Sequence, residues 1–411
     1  MTRLMAMIAA ALAMVSSPVA AQQAEMPPGI ADPDTAITDP MFNDPVLFWR
    51  IISAPKNVYE PDPYFYWPAQ PVHGAAPADL PRADGKTTIP TAALAAMEDW
   101  AKARDSTALI VIHRGVIQLE RYWNGATAEA ALNGRAITRS VTPLLLGFAV
   151  ADGKLELDDP IGRHIPAWAD DPRGQVTVRQ LAQNASGLEV APSLPITQLL
   201  GNKDLCLVYC GDVVRAALAY DLTGTPGAKF EVAQENMQLL AHVIEQAMGT
   251  RIETLLSERV WSKIGASDAY VQLDRPGGVA RMMCCMRARA MDWARLGLLV
   301  ADAGRWQGTQ VLPQGWTGTM AAPSPANPNF GLGLWRGHPF VAMRPYFQGQ
   351  KGLVPQSEPF LADDVLMMEG GGWRIVHIVP SADLVIFRHG PSHPDWDMAF
   401  LVNTALRSLR K

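Results

Sequence analysis

Basic residues are not in excess in this 411-residue chain: 35 Lys and Arg stand against 40 Asp and Glu, a net charge of −5. A nucleic-acid partner calls for a basic footprint, and none is there. Cysteine is scarce, at four, too few for disulfides to replace a hydrophobic core at this length. No histidine follows those cysteines at finger-like spacing, so neither a structural zinc nor any other metal or cofactor is expected. Beyond the extreme start, no apolar run approaches the ~18 residues that a spanning helix takes. Internal repeats and low-complexity tracts are missing as well. What remains is ordinary globular composition, 48% hydrophobic and 18% charged. It suits one large domain or two interleaved ones.

The start stands apart. Arg3 leads into the apolar run Leu4–Val15, then Ser16, Ser17, Pro18 and Val19-Ala20-Ala21. Small residues at the last and third-last positions mark a secretory signal over 1–21, cleaved after Ala21. The mature chain is then expected in the periplasm or outside the cell, with no transmembrane segment. In an oxidising compartment the four cysteines allow three pairings, among which sequence does not choose. Bridging the neighbours Cys284 and Cys285 is strained, which favours links from that pair to Cys206 and Cys210. Free buried thiols are the alternative.

Residues 22–85 are rich in Pro, Asp and aromatics and read as an extended N-terminal segment over the surface. Thr91–Ala103 has helical spacing. Ala108–Trp123 is two β-rich halves around Arg114-Gly115, a hairpin. Ile137–Asp152 reads as an apolar helix stopped by Gly153. From 151 to 304 the pattern is mainly helical, with helices over Gln234–Met248, Ile252–Ile264 and Ala288–Ala303. Strands return at Val365–Met368, Ile375–Val379 and Leu384–Arg388, followed by a helix over Asp395–Leu409. This order predicts an α/β (α+β) domain over 86–411. An antiparallel sheet flanked by helices would come from about 86–150 and 305–411, with an all-helical part over 151–304.

Six ordered stretches carry a resemblance. They are IVIHRGVIQLERYWNG (110–125), SVTPLLLGFAVADGKLELDDPIGRHIPAW (140–168), VTVRQLAQNASGL (176–188), GTPGAKFEVAQENMQLLAHVIEQAMG (224–249), ARAMDWARLGLLVADAGRWQGTQVLPQGW (288–316) and RIVHIVPSADLVIFRHG (374–390). Together they resemble the serine β-lactamase-related family. That family takes in class C-like and penicillin-binding-protein-like esterases and 6-aminohexanoate-dimer-type hydrolases. The resemblance implies a β-lactamase/transpeptidase-like fold and serine hydrolase chemistry.

That chemistry uses Ser-x-x-Lys at the start of a helix, where i and i+3 share a face and the amine can draw the serine proton. A tyrosine from the helical part and a Lys or His before Gly on a strand complete it, and backbone N–H groups hold the oxyanion. Here the nucleophile motif aligns with Ala136-Ile137-Thr138-Arg139. Alanine has no nucleophile, and arginine does not deprotonate in a protein. The tyrosine position falls on Val232 and the third motif on Gly370-Gly371-Gly372, with Gly371 at the cationic place. Ser140 lies one turn further, roughly 6 Å deeper, with Pro143 rather than lysine at i+3, and Thr138 projects about 200° away. No catalytic residue is therefore assigned.

The expectation is a degenerate homologue whose cleft binds a small carboxylate-, amide- or ester-containing ligand, or a protein partner. Candidate ligand contacts are Arg135, Arg139, Gln234, Asn236, Glu369, Trp373 and Arg374, since guanidinium groups hold carboxylates in paired hydrogen bonds. Equally, Arg139 is open to a structural ion pair with Glu369 or Glu235. Two alternatives stand beside it. One is hydrolysis of esters, amides or lactones without Ser-Lys-Tyr, using Arg139, Glu369 or Glu235. The other is an ordinary serine hydrolase, if the motif alignment is shifted. His389, His393, Asp395 and Asp397 read as a turn and helix start rather than a metal site. His113 and His377 read as structural.

Overall fold

The computed structural model describes residues 50, 66–76, 79–190, 203–345 and 353–409. The expected signal segment and most of the expected extended N-terminal segment lie outside the described residues. The chain enters through strand β1 (Ala69–Val72) and helix α1 (Thr91–Lys102), then the hairpin β2 (Ala108–His113) and β3 (Val116–Tyr122). Arg114 and Gly115 both take positive φ, 53° and 73°, which matches the twist of a two-residue hairpin loop. After β4 (Ala131–Asn133), a single 3-10 turn at Arg135–Ile137 leads into α2 (Thr138–Ala151). Helices α3 (Val178–Ala182), α4 (Lys203–Tyr209), α5 (Val213–Leu218), α6 (Gln234–Met248) and α7 (Ile252–Arg259) follow.

Next come β5 (Ala269–Gln272), β6 (Met286–Arg289), α8 (Ala290–Ala301), β7 (Arg305–Trp306), β8 (Thr309–Gln310) and α9 (Trp316–Ala321). The last part holds β9 (Trp335–Arg336), β10 (Met343–Pro345), β11 (Leu353–Pro355), β12 (Leu366–Gly370), β13 (Arg374–Val379), β14 (Leu384–His389) and α10 (Phe400–Leu409). The main sheet is antiparallel and runs β3-β2-β14-β13-β12-β9. Both ends of the chain build it, as the distribution of strand patterns requires.

Every residue of β2, β12, β13 and β14 is buried, so the sheet has apolar layers on both faces. Alternate side chains divide between them. Val376, Ile378, Val385 and Phe387 face α2 and α8, whereas Ile375, Val379, Leu384 and Ile386 face α1 and α10. On the second face Trp100 lies 4.8 Å from both Trp396 and Phe400. Gly297 lets α8 lie close on the first face. A Cβ there would come 2.6 Å from Val376 Cγ1 and 2.8 Å from Val385 Cγ1.

Three expectations change. The 151–304 stretch is not all-helical: β5 and β6 join β1 and β4 in a second sheet of order β1-β5-β6-β4. These strands are only four residues long, too short for a clear alternation. The start of the expected 288–303 helix is strand β6, because residues 286–289 pair with β4 and β5. The N-terminal segment is more than a surface wrap, since β1 belongs to this sheet and Arg50 is fully buried among backbone carbonyls.

The cysteines also bond differently from expectation. Cys206 pairs with Cys210, and Cys284 with Cys285. Cys206 and Cys210 stand one helical turn apart, 4.6 Å between Cα atoms, and are available to each other before any long-range contact forms. Cys285 takes φ +79°, and the Cys284–Cys285 pair packs with Tyr66.

Candidate functional site

The site is built around the first turn of α2. Arg135 takes a left-handed conformation, φ +48°, and its N–H is capped by Asn133 Oδ1 at 2.8 Å. Ala136 follows, 8% exposed. The turn is stitched to the segment before β6: Gly134 N–H donates to the Met286 carbonyl, Met286 N–H to Thr138 Oγ1 at 3.2 Å, and Arg139 Nε to the Met283 carbonyl at 2.9 Å. The Cys284–Cys285 pair therefore sits inside the strip that holds this turn.

The third motif reaches the same place from the sheet. Gly370 ends β12 so close to α2 that a Cβ would fall 3.3 Å from Ala136 N. Next to it, a Cβ at Gly371 would meet Arg135 Cδ at 3.7 Å, an ordinary contact. The structure thus brings Arg135, Ala136 and Gly371 together, as the motif spacing requires. Val232 lies two residues ahead of α6, which packs on α2. It is buried in the apolar cluster that holds Phe230, Phe330 and Trp335. Phe230 stands 5.0 Å from the Phe330 ring and 5.5 Å from that of Trp335. A valine completes an apolar surface there, where a phenol would need a hydrogen-bond partner.

The two hydroxyls nearest the turn are both engaged. Ser140 is buried and its Oγ donates to the Gly333 carbonyl at 2.6 Å. Thr138 Oγ1 is engaged by Met286. Pro143, where the family pattern would continue a normal helical turn, cannot donate a backbone bond to the Arg139 carbonyl.

Among the described residues Arg139 forms no ion pair, contrary to the structural alternative in which Glu369 or Glu235 neutralises it, and its buried Nη1 has no partner there. Glu369 instead accepts from Arg344 Nη2 at 2.8 Å through both oxygens, and the Arg344 guanidinium lies 3.8 Å over the Trp335 ring. The period-2 alternation of β12 explains this, since Glu369 points to the face opposite Met368. Trp373 is likewise off the cleft: it stacks against Trp396 at 6.3 Å on the α10 side. Arg374 is buried behind Gly371, donating Nη1 to the Gly371 carbonyl at 2.6 Å and Nε to His389 Nε2 at 2.9 Å. Burial, then the charge of Arg374, keeps His389 far below the ordinary histidine range.

The two amides are engaged internally. Asn236 Nδ2 donates to Asn184 Oδ1 at 3.4 Å, and the Gln234 side chain bonds Asp204. Sequence reasoning passed over Asp204 and Tyr220, which meet at 2.7 Å, and only the left-handed Asn184 inside its QNASGL stretch offered any signal. Glu235, 1% exposed with Oε1 unpartnered, is pushed up to about 8 by burial first and by Asp204 in addition, against the pull of its own N–H and of Arg139. Burial raises Asp204 as well. At neutral pH Glu235 is thus mostly a neutral acid, and the positive charge of Arg139 is not cancelled by it. His393 and Asp395 form a local turn contact, and no metal-holding cluster occurs among the described residues.

Comparisons with known proteins bear on the family and the fold. The beta-lactamase family model matches residues 92–387. A 6-aminohexanoate-dimer hydrolase from Paenarthrobacter ureafaciens is 25% identical over 227 residues, 52% of this chain and 57% of its own. A beta-lactamase from Pseudomonas fluorescens is 24% identical over 138 residues, 34% of this chain and 36% of its own. The chain therefore matches little more than half the length of the first and about a third of the second. Among solved structures, a candidate 6-aminohexanoate-dimer hydrolase from Bacillus anthracis superposes with a TM-score of 0.64 at 19% identity, over 87% of this chain and 95% of that one. A penicillin-binding protein homologue from Caulobacter crescentus gives 0.58 at 16% identity, over 78% and 98%. At such identities the likeness concerns the fold.

Proposed function

The chain belongs to the beta-lactamase family, and from that premise we propose that it is an exported, catalytically degenerate member. In this reading its cleft binds a small carboxylate-, amide- or ester-containing ligand, or a protein partner, and performs no Ser-Lys-Tyr hydrolysis. One observation carries it. The nucleophile, amine and phenol positions hold Ala136, Arg139 and Val232, and each replacement is packed or bonded into its surroundings. Losing one group leaves room for a modified mechanism; losing three removes attack, proton transfer and leaving-group assistance together. Export is supported by the apolar start with its small-residue cleavage pattern and by two disulfides, which persist in oxidising compartments.

Incubation of the mature protein with a fluorescent penicillin and with a fluorophosphonate tests the proposal. No labelling is expected from either, and stoichiometric acylation in the cleft refutes it. A second reading is favoured by the buried carboxyl of Glu235, whose Oε1 has no partner and which feels the charge of Arg139: ester, amide or lactone hydrolysis without a covalent intermediate. It predicts turnover that survives serine-directed inhibitors and disappears in Arg139→Ala. Glu369 drops out of this reading because Arg344 holds both its oxygens.

A further inference from the structure

The bare Gly371 is the place to look for a substitution in space rather than in sequence. Arg135 is the residue whose side chain would meet a Cβ added there, at 3.7 Å, and nothing else comes within 4 Å. Its backbone is left-handed, a conformation that disfavours residues with a Cβ and that persists where the surroundings enforce it. Asn133 enforces it by capping the Arg135 N–H, and the short Gly134–Ile137 turn follows directly. The side chain is exposed, and its guanidinium makes no hydrogen bond or ion pair among the described residues. The titratable groups that feel it are Tyr66, Tyr209 and His389, none of them a carboxylate. Four residues on, Arg139 Nη1 is the second uncommitted guanidinium nitrogen of the same turn.

We propose that Arg135 supplies from the helix side the positive charge that β12 lacks at Gly371, and that the ligand is a small carboxylate. This rests on the binding reading above and narrows it. A free guanidinium presents parallel N–H donors that match a carboxylate, and its charge does not titrate away. The ligand's carboxylate lies against Arg135 and Gly371, and its amide or ester part lies over the Ala136 turn. A Cβ at 371 would only touch Arg135 Cδ, at 3.7 Å, so the arginine side chain passes directly beside the position that lacks a cation.

The test uses the mature chain with hippurate, which joins an amide to a carboxylate, and with methyl hippurate, which lacks the charge. Isothermal titration at low ionic strength compares wild type with Arg135→Gly, which suits the left-handed backbone, with Arg135→Lys, and with Arg135→Gly/Gly371→Lys. Melting temperatures verify folding. Hippurate is expected to bind at least about tenfold more tightly than its ester. Arg135→Gly removes that preference and leaves ester binding in place, while either lysine variant restores it. Three results overturn the assignment: no preference for the acid in wild type (absence of binding to both probes included), a preference untouched by Arg135→Gly, or no restoration by either lysine in folded protein. Covalent labelling of wild type by a fluorophosphonate would refute the non-hydrolytic reading instead, and the Arg135 series would still decide the cation.

Discussion

Replacing Glu235 by glutamine isolates the energetic cost of the buried acid under the cleft. Its carboxyl titrates near 8 against an ordinary 4.5, because burial penalises the charged form. A folded value above the unfolded one means the contribution is fully present below about 4.5 and is lost as pH rises towards 8. At about 1.4 kcal/mol per pH unit, the whole gap is worth roughly 5 kcal/mol as an upper bound. Asp204, Arg139 and Glu189 act on the same group. Glutamine has the same shape and no ionisation, so Glu235→Gln lacks this loss. Urea unfolding of both proteins at intervals from pH 4.5 to 8.5 reads it directly, and pH effects elsewhere cancel in the difference. The stability of the variant minus that of wild type should climb steadily across the window and level off near pH 8. A flat difference, or one that falls, refutes a neutral buried Glu235. With it would go the claim that Glu235 leaves the charge of Arg139 uncancelled at neutral pH.

Other outcomes follow from the same geometry. Ala136→Ser alone should remain unlabelled by a fluorophosphonate, because Arg139 cannot take the proton; Ala136→Ser/Arg139→Lys/Val232→Tyr should acquire labelling, read by intact-protein mass. Gly297→Ala should destabilise by about 1–3 kcal/mol in urea titrations, since its methyl would overlap Val376 and Val385 on the sheet. Thr177→Ala should cost about 1 kcal/mol, because Thr177 and Gln180 form a reciprocal capping box at the start of α3. Peptide mapping without reduction should return Cys206–Cys210 and Cys284–Cys285 as intact pairs, and a peptide joining the two groups would contradict this pairing.

Which residues stand at the motif positions was legible because motif spacing is a local property. Ala136 and Arg139 are read from their distance to the apolar run of α2, and Val232 from its distance to α6. The structure then sets Gly370 against the same α2 turn. Candidate contacts proposed from proximity in sequence fared less evenly. Glu369, Trp373 and Arg374 lie within three residues of Gly371, yet two of them point to the α10 face and the third is bonded behind the strand. The alternation of a strand both of whose faces are buried gives no outward polar signal by which to tell those faces apart.

The sequence by itself determined the antiparallel sheet made from both chain ends, the helices on it, and the chemical identity of what stands at each motif position. Those follow from periodicity, turn residues and spacing, which act over a few residues. Only the tertiary structure decided that short strands inside the helical stretch form a second sheet, and that each cysteine pair bonds within itself. It alone brought Asp204 and Glu235 within reach of the charge of Arg139, and set Arg135 beside Gly371. Apart from the cysteine pairs, which are four and one residues apart and among whose pairings spacing alone did not choose, each of these depends on contacts between segments tens to hundreds of residues apart. Their energy comes from burial and from hydrogen bonds that no local pattern encodes.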